Sequence, residues 1–408
     1  MSDASAPGGH RLGSPAYRRI TVALFLAGLA TFALLYSTQP ILPTLASYYG
    51  VSAAQSAWTV SFATVGLGLS LLVAGPASEV VGRTPLMFAS LFSSAVVAVA
   101  CGLVDSWPVL LALRAVQGVT LAGLPAVAMA YVADEVHRAD SARAAGLYIS
   151  GTALGGMSGR LITGFLADLF GWRAALVGIG GVGLACAVGV FALLPRSRRF
   201  RPAPASLRHL WGSTRGLAGD PAMLALFGIA FTSMGAFVGV FNALAFRLEA
   251  PPYGLSVGVA GLVFLTYALG SVGSARAGRA AGRWGHRAVE PVAVLVMLAG
   301  LLVTLATPLW LVVAGVAVMT LGFFAAHGVA SGWVATRASI GVGATGQASS
   351  LYLFCYYLGS SLFGSLAGQA WTAARWPGVV ALAAGLVAVS LALSLVLRRI
   401  PRLPEPTR

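Results

Sequence analysis

The chain alternates long apolar runs with short polar breaks, and most runs have the length of a membrane crossing. A helix needs about 20 mostly apolar residues to span the hydrocarbon, where no water can satisfy a free backbone N–H or C=O. Twelve stretches meet that requirement, at about 20–42, 55–77, 85–104, 108–132, 144–166, 173–194, 221–246, 257–276, 289–307, 309–335, 347–369 and 377–397. The first exceeds the roughly 7–15 residue apolar core of a signal peptide and follows a polar tail, so a retained helix is expected. The longest polar segment, 195–220, is rich in arginine and proline and separates six spans from six. The pattern predicts an all-α membrane protein of 12 transmembrane helices. Its parts are a tail at 1–19, a six-helix bundle at 20–194, a linker at 195–220, a second six-helix bundle at 221–397 and a tail at 398–408.

Composition agrees with this segmentation and adds an orientation. Of 408 residues, 58% are hydrophobic and 9% charged, against about 25% charged for a soluble domain. The net charge is +15, and all 26 basic residues are arginine. Counted by alternate loops, 21 arginines fall on the side of the two tails, while only Arg173, Arg247 and Arg375 fall on the other. The positive excess marks the cytoplasmic side, so both termini are expected there. Arg114 and Arg160 remain inside apolar spans. Such a charge distribution leaves no soluble basic face for nucleic acid. Without lysine there is no G-x-x-x-x-G-K-[ST] phosphate loop and no Schiff-base residue, which argues against self-powered ATP hydrolysis. Cys101, Cys186 and Cys355 stand alone, and the five histidines form no paired ligand pattern, so neither a metal nor another cofactor is expected. No nucleophile–base pair suggests an enzyme.

A comparison of the chain with itself at an offset of 204 residues finds a weak repeat. Tyr49, Gly50 and Ser52 recur as Tyr253, Gly254 and Ser256; Leu147, Tyr148, Leu154, Gly155 and Gly164 recur as Leu351, Tyr352, Leu358, Gly359 and Gly368. Trp172 recurs as Trp376, and Gly118 as Gly322. Two parallel six-helix halves related by pseudo-symmetry would produce this pattern.

Candidate chemistry follows from polar groups that apolar surroundings should exclude. Arg114 lies roughly 13 Å along its helix from Asp105, too deep for easy snorkelling. It is either functional or a hydrogen-bonding hub with Gln117. Arg160 lies nearer the outer end and could reach toward Asp168. His327 lies roughly 15 Å along its helix from Arg337, near mid-membrane. With an unperturbed pKa near 6.5 it could carry a proton, or it could be a neutral histidine bonded to a neighbour. The acidic residues Glu79, Asp220, Glu249 and Glu290 all sit at span ends. Tyr36, Gln39, Tyr148, Asn242, Tyr352, Tyr356 and Tyr357 place polar and aromatic groups on the first, fifth, seventh and eleventh spans.

Between the second and third spans, Gly75 to Thr84 reads GPASEVVGRT, echoed at Gly278 to Arg287. It resembles the major facilitator superfamily loop signature G-x-x-x-D-x-x-G-R-[KR], with Glu79 in place of the aspartate and Thr84 in place of the last basic residue. Arg114-Ala115-Val116-Gln117-Gly118 resembles the R-x-x-Q-G signature of the drug:proton antiporter branch. On the fifth span, Gly155-Gly156-Met157-Ser158-Gly159-Arg160 lacks the Gly-Pro pair of that branch. The likeness extends over nearly all of residues 20–397. It implies the major facilitator fold in a bacterial inner membrane, with a substrate cavity lined from Tyr36, Gln39, Arg114, Gln117, Tyr148, Asn242, Tyr352, Tyr356 and Tyr357. It also implies proton coupling through His327, Arg114 and Arg160, and a gating loop with Gly75, Glu79, Gly82 and Arg83 that latches the halves; an ordinary positive-inside turn would look the same. The expected activity is proton-coupled efflux of a small organic solute, sugar or drug-like, by a monomeric antiporter. The alternative is exchange or uptake of an organic anion, motivated by the two membrane arginines.

Overall fold

The computed structural model describes residues 9–197, 207–341 and 343–401, apart from the side chains of Pro76, Glu79 and residues 207–210. The middle of the expected linker, the ends of both tails and the Glu79 carboxyl thus lie outside the described residues. Among the described residues, fourteen α-helices follow in order: α1 Pro15–Leu35, α2 Leu42–Tyr49, α3 Ala53–Val81, α4 Arg83–Cys101, α5 Trp107–Leu121, α6 Gly123–Glu135 and α7 Arg138–Leu193. Then come α8 Leu207–Ala218, α9 Pro221–Glu249, α10 Val257–Gly261, α11 Ala268–Trp284, α12 His286–Val303, α13 Leu309–Ile340 and α14 Thr345–Arg399.

Ten stretches among the described residues are long and apolar enough to cross a membrane. Two of them, α7 with 56 residues and α14 with 55, are far too long for one crossing. Each contains a sharp non-helical turn, at Gly171 (φ 82°) and at Ala374–Arg375 (φ 52° at Arg375). Across the first of these, a Cβ on Gly178 would lie 2.7 Å from the Leu166 side chain, so the chain doubles back on itself. Counting each of these helices as two arms gives the twelve expected crossings. Within the linker, where only a polar connection was expected, α8 forms a further helix and Gln347 donates to its Thr214 at 3.0 Å.

The repeat is visible as packing. Gly155 sits so close to α1 that a Cβ would fall 2.0 Å from the Leu29 carbonyl oxygen, and its echo Gly359 meets the Phe231 carbonyl of α9 at 1.9 Å. Only small residues let helix backbones approach so closely in lipid, where association depends on packing. Ser52 caps α3 and Ser256 caps α10. The turns at Gly82 and Gly285 share nearly one conformation, φ 98° ψ 151° and φ 82° ψ 152°.

The first span departs from its expected course. A single helix over 20–42 is predicted, but α1 begins at Pro15, ends at Leu35 and gives way to a 3-10 turn at Gln39–Ile41 before α2. Pro40 explains the break, because it has no N–H to offer the Tyr36 carbonyl and its ring would crowd that carbonyl. Gln39 N–H turns back to Tyr36 O instead, at 3.0 Å. The Leu35 carbonyl is thereby left without its helical donor in the middle of the bundle.

Candidate functional site

The break in the first span sets up both membrane arginines. Arg114 projects from α5 and donates to the orphaned Leu35 carbonyl, to Leu34 O at 3.3 Å, to Thr59 O at 2.7 Å and to the Gln117 side-chain oxygen. Gln117 in turn donates to Ser94 O at 3.2 Å. A cation at a helix C-terminus that also satisfies its last carbonyls is favourable on both counts. Arg114 and Gln117 are 1% and 0% exposed; all of these partners belong to the first half, and the structure places the pair in a packed hub.

Arg160 is built differently. It lies on the first arm of α7, where Gly159 brings that arm against Ala33 of α1. Its Nε donates to Gln39 Oε1 at 2.5 Å, and an Nη donates to Gly156 O. Its guanidinium carbon lies 4.3 Å from the ring centre of Tyr36, and 4.7 and 5.1 Å from those of Tyr267 and Phe264 in the second half. The expected reach toward Asp168 does not occur. Arginine only donates, so Gln39 must present its oxygen to Arg160 and its amide nitrogen to Asn242 Oδ1, at 2.7 Å. Asn242 then donates to Gly364 O at 3.2 Å. One directional chain of hydrogen bonds thus runs from Arg160 across both halves.

The remaining ties between the halves lie on the same side of the molecule. The near face carries the start of α1 and the end of α14; the far face carries the turns inside α7 and α14. Toward the far face, Ser61 donates to Ser361 O at 2.7 Å and Thr64 lies 2.6 Å from the Ser361 hydroxyl. At the far end, Asp168 accepts from Ser256 Oγ at 2.6 Å and from Gly258 N–H at 2.8 Å. A Cβ on Gly368 would lie 2.5 Å from Ala54 Cα. The hydrogen bonds that join the halves run from Gln39 to Asn242, between Ser61 or Thr64 and Ser361 or Ser365, and from Ser256 and Gly258 to Asp168.

His327 lies on α13 in the second half, half-buried, with its Nδ1 3.0 Å from the Tyr352 hydroxyl and its ring 4.7 Å from that of Tyr356. Tyr352 and Tyr357 are buried and Tyr356 half-buried. Tyr357 abuts Gly68 of α3, and Tyr148 is buried against Gly28 of α1. In the loop between α3 and α4, Arg83 pairs with Asp134 of the same half at 3.2 Å and donates to Ser78, while Gly82 provides the turn and Gly75 stays half-buried.

Sequence reading missed three features. Phe237, Phe241, Phe264, Tyr267 and Phe323 form an aromatic cluster, with Phe237 and Phe323 stacked at 3.9 Å, and Phe264 and Tyr267 of that cluster face Arg160. The i, i+4 and i, i+3 spacings of 237/241 and 264/267 carried that signal. Asp168 was noticed only as a destination for Arg160. Glu290, expected at a wet span end, is 0% exposed, because α13 and α14 cover the start of α12.

Comparison with known proteins completes the picture. A family model described as Major Facilitator Superfamily matches residues 22–364. The inner membrane transport protein YnfM of Escherichia coli is 43% identical over 95% of this chain and 92% of its own. The uncharacterized MFS-type transporter YybF of Bacillus subtilis is 38% identical over 97% of both chains. Among solved structures, an inward-facing, occupied bacterial homolog of the human lysosomal transporter Spinster aligns with a TM-score of 0.75 at 17% identity, over 95% of this chain and 98% of that one. A mutant of the nucleoside transporter NupG aligns at 0.72 and 14% identity, over 93% and 99%.

Proposed function

The chain belongs to the Major Facilitator Superfamily, and we propose that this membrane transporter is a proton-coupled exporter of a small organic solute, working by alternating access in a bacterial inner membrane. The observation that carries this reading is the seam through the middle and far side of the bundle, where Gln39 meets Asn242, Thr64 meets Ser361, and Asp168 accepts from Ser256 and Gly258. In this reading the arginine excess puts the termini in the cytoplasm, and the seam on the far side shuts the carrier toward the outside. Rocking of one half against the other would break the far seam and close the near side. His327, half-buried and bonded to Tyr352, is the proton carrier in this reading.

The test is transport by the full chain in proteoliposomes, with benzoate, a methyl glucoside and ethidium as anionic, neutral and cationic probes. Accumulation of one probe that follows an imposed pH gradient is expected. Accumulation indifferent to collapse of the gradient would remove proton coupling, and an unaltered pH dependence in His327→Ala would remove His327 as carrier.

A second reading, transport of an organic anion, is favoured by Arg160. It has no carboxylate partner among the described residues and faces rings from both halves. Normal benzoate transport by Arg160→Gln would sink it.

A further inference from the structure

The two halves turn at the far face in the same place but with different residues. Gly171 makes the turn inside α7 at φ 82°, and Arg375, 204 residues later, makes it inside α14 at φ 52°. Glycine enters this left-handed region freely, whereas a residue with a side chain does so at a backbone cost. An arginine kept where the other half has glycine points to a use for its side chain. That side chain is also uncommitted. At the same face Arg173 is engaged with Asp105, Tyr48 and the Val104 carbonyl, and Arg247 with Tyr253 and the Thr304 and Ala306 carbonyls. Arg375 is exposed and has no hydrogen bond or ion pair among the described residues; its guanidinium carbon lies 5.5 Å from the ring centre of Trp371.

Arg375 lines a cavity of about 380 Å³ between the halves. Ala46, Ser47 and Val51 form its wall in the first half, and Phe246 and Trp371 its wall in the second, with their rings 6.5 Å apart. Ser47 is exposed, and its hydroxyl has no hydrogen-bond partner among the described residues. Because the walls belong to both halves, the cavity keeps this shape only while Gly368 stays closed on Ala54. A free cation beside apolar and aromatic walls matches an anion attached to an apolar ring. The guanidinium fork accepts a carboxylate through two parallel hydrogen bonds, and the walls take the ring out of water. A bare inorganic anion would leave the walls unused, and a neutral ring would leave the cation unused.

We propose that this far-face cavity is a binding site for an aromatic carboxylate, with Arg375 holding the carboxylate and Phe246 and Trp371 the ring. The site stands apart from Arg160, which is buried in the middle of the bundle, and it does not depend on proton coupling.

The experiment is benzoate binding to the full chain in lipid nanodiscs, where both faces meet the solution, read by ligand-observed NMR with benzamide as the neutral control. The wild type should bind benzoate about tenfold or more tightly than benzamide, the worth of a charge-assisted hydrogen bond. Arg375→Gly should lose that advantage while melting no lower than the wild type, because Gly171 already makes the same turn in the first half. Arg375→Asn, which also tolerates a positive φ, serves where the glycine variant does not fold. The comparison is repeated with Arg160→Gln in both proteins, so that the central arginine contributes nothing, and the loss on changing Arg375 should persist. Equal affinity for benzoate and benzamide, or a benzoate affinity indifferent to Arg375→Gly in that background, overturns the proposal. Benzoate binding abolished by Arg160→Gln alone also overturns it, and leaves the anion reading at Arg160 standing.

Discussion

Arg114 and Arg160 are both arginines within the membrane, both at most 2% exposed, and they do opposite work. Arg114 gives its hydrogen bonds to one half: the Leu35, Leu34 and Thr59 carbonyls and Gln117. Nothing in that set changes if the two halves rock as rigid bodies. Arg160 gives one bond to its own helix and one to Gln39, and lays its guanidinium against Tyr267 and Phe264 across the seam. Aromatic faces hold a cation without a fixed hydrogen-bond geometry, so that contact can be released and remade. A membrane cation is therefore structural or mobile according to whether its partners lie on one rigid body or two.

The largest expected effect is at the rigid member. Arg114→Gln strips the guanidinium from the broken end of α1, and each buried carbonyl left unsatisfied costs about 1–3 kcal/mol. Loss of most folded protein, or a large drop in thermal stability in detergent, is the expected outcome; a stable but inactive variant would instead make Arg114 a functional cation. Arg160→Gln should lose about 1–2 kcal/mol, since its contacts are partly aromatic and Gln39 keeps Asn242. It should remain folded, yet transport of whichever of the three probes is carried should fall tenfold or more. Unfolding comparable to that of Arg114→Gln would erase the distinction between the two residues.

How legible this was from sequence differs along the chain. The twelve crossings were, because lipid forces every backbone group into a helix and so writes the fold as apolar runs of about 20 residues. The halves were legible through residues fixed by backbone geometry, such as Gly155 with Gly359 and Ser52 with Ser256. Arg114 and its neighbour Gln117 were legible, but the Leu34 and Leu35 carbonyls that Arg114 also holds were not, since the break at Pro40 lies within a run that is still apolar on average. The setting of Arg160 depends on Phe264 and Tyr267, about a hundred residues away in the chain and brought near only by docking of the halves. Glu290 misled because an arginine-rich loop beside it suggests water, whereas neighbouring helices bury it.

A smaller effect separates the seam from the interior of the halves. Asp168 holds Ser256 and Gly258 through charge-assisted bonds, and Asp168→Asn would replace these with weaker neutral ones. Because Asp168 is exposed, the loss should be about 1 kcal/mol or less. That corresponds to a shift of up to about fivefold toward opening of the far side. Spin labels at the exposed positions Leu169 and Trp310 would report it as a larger population at long distance. An unchanged distance distribution would mean that Asp168 does not help to hold the far side shut.

The smallest effect should be invisible to transport. Asp220 accepts from Arg337 Nε at 2.6 Å and Nη2 at 2.9 Å, and from Ala222 N–H at 2.9 Å, all inside the second half. Burial alone would raise its pKa, but the hydrogen bonds from Arg337 and Ala222 outweigh burial and leave it below its ordinary value. A carboxylate depressed in the folded state stabilises above its unfolded pKa, near 3.9, and that stability fades as pH falls through the lower folded value. Thermal stability of the wild type should therefore decline below about pH 4 more steeply than that of Asp220→Asn, which keeps an N-cap acceptor but not the charge. At neutral pH the variant should be weaker by about 1 kcal/mol or less while probe flux is unchanged. Altered flux with unaltered stability would show that this pair, although confined to one half, takes part in the movement, and that contact within a single half is not enough to mark a group as structural.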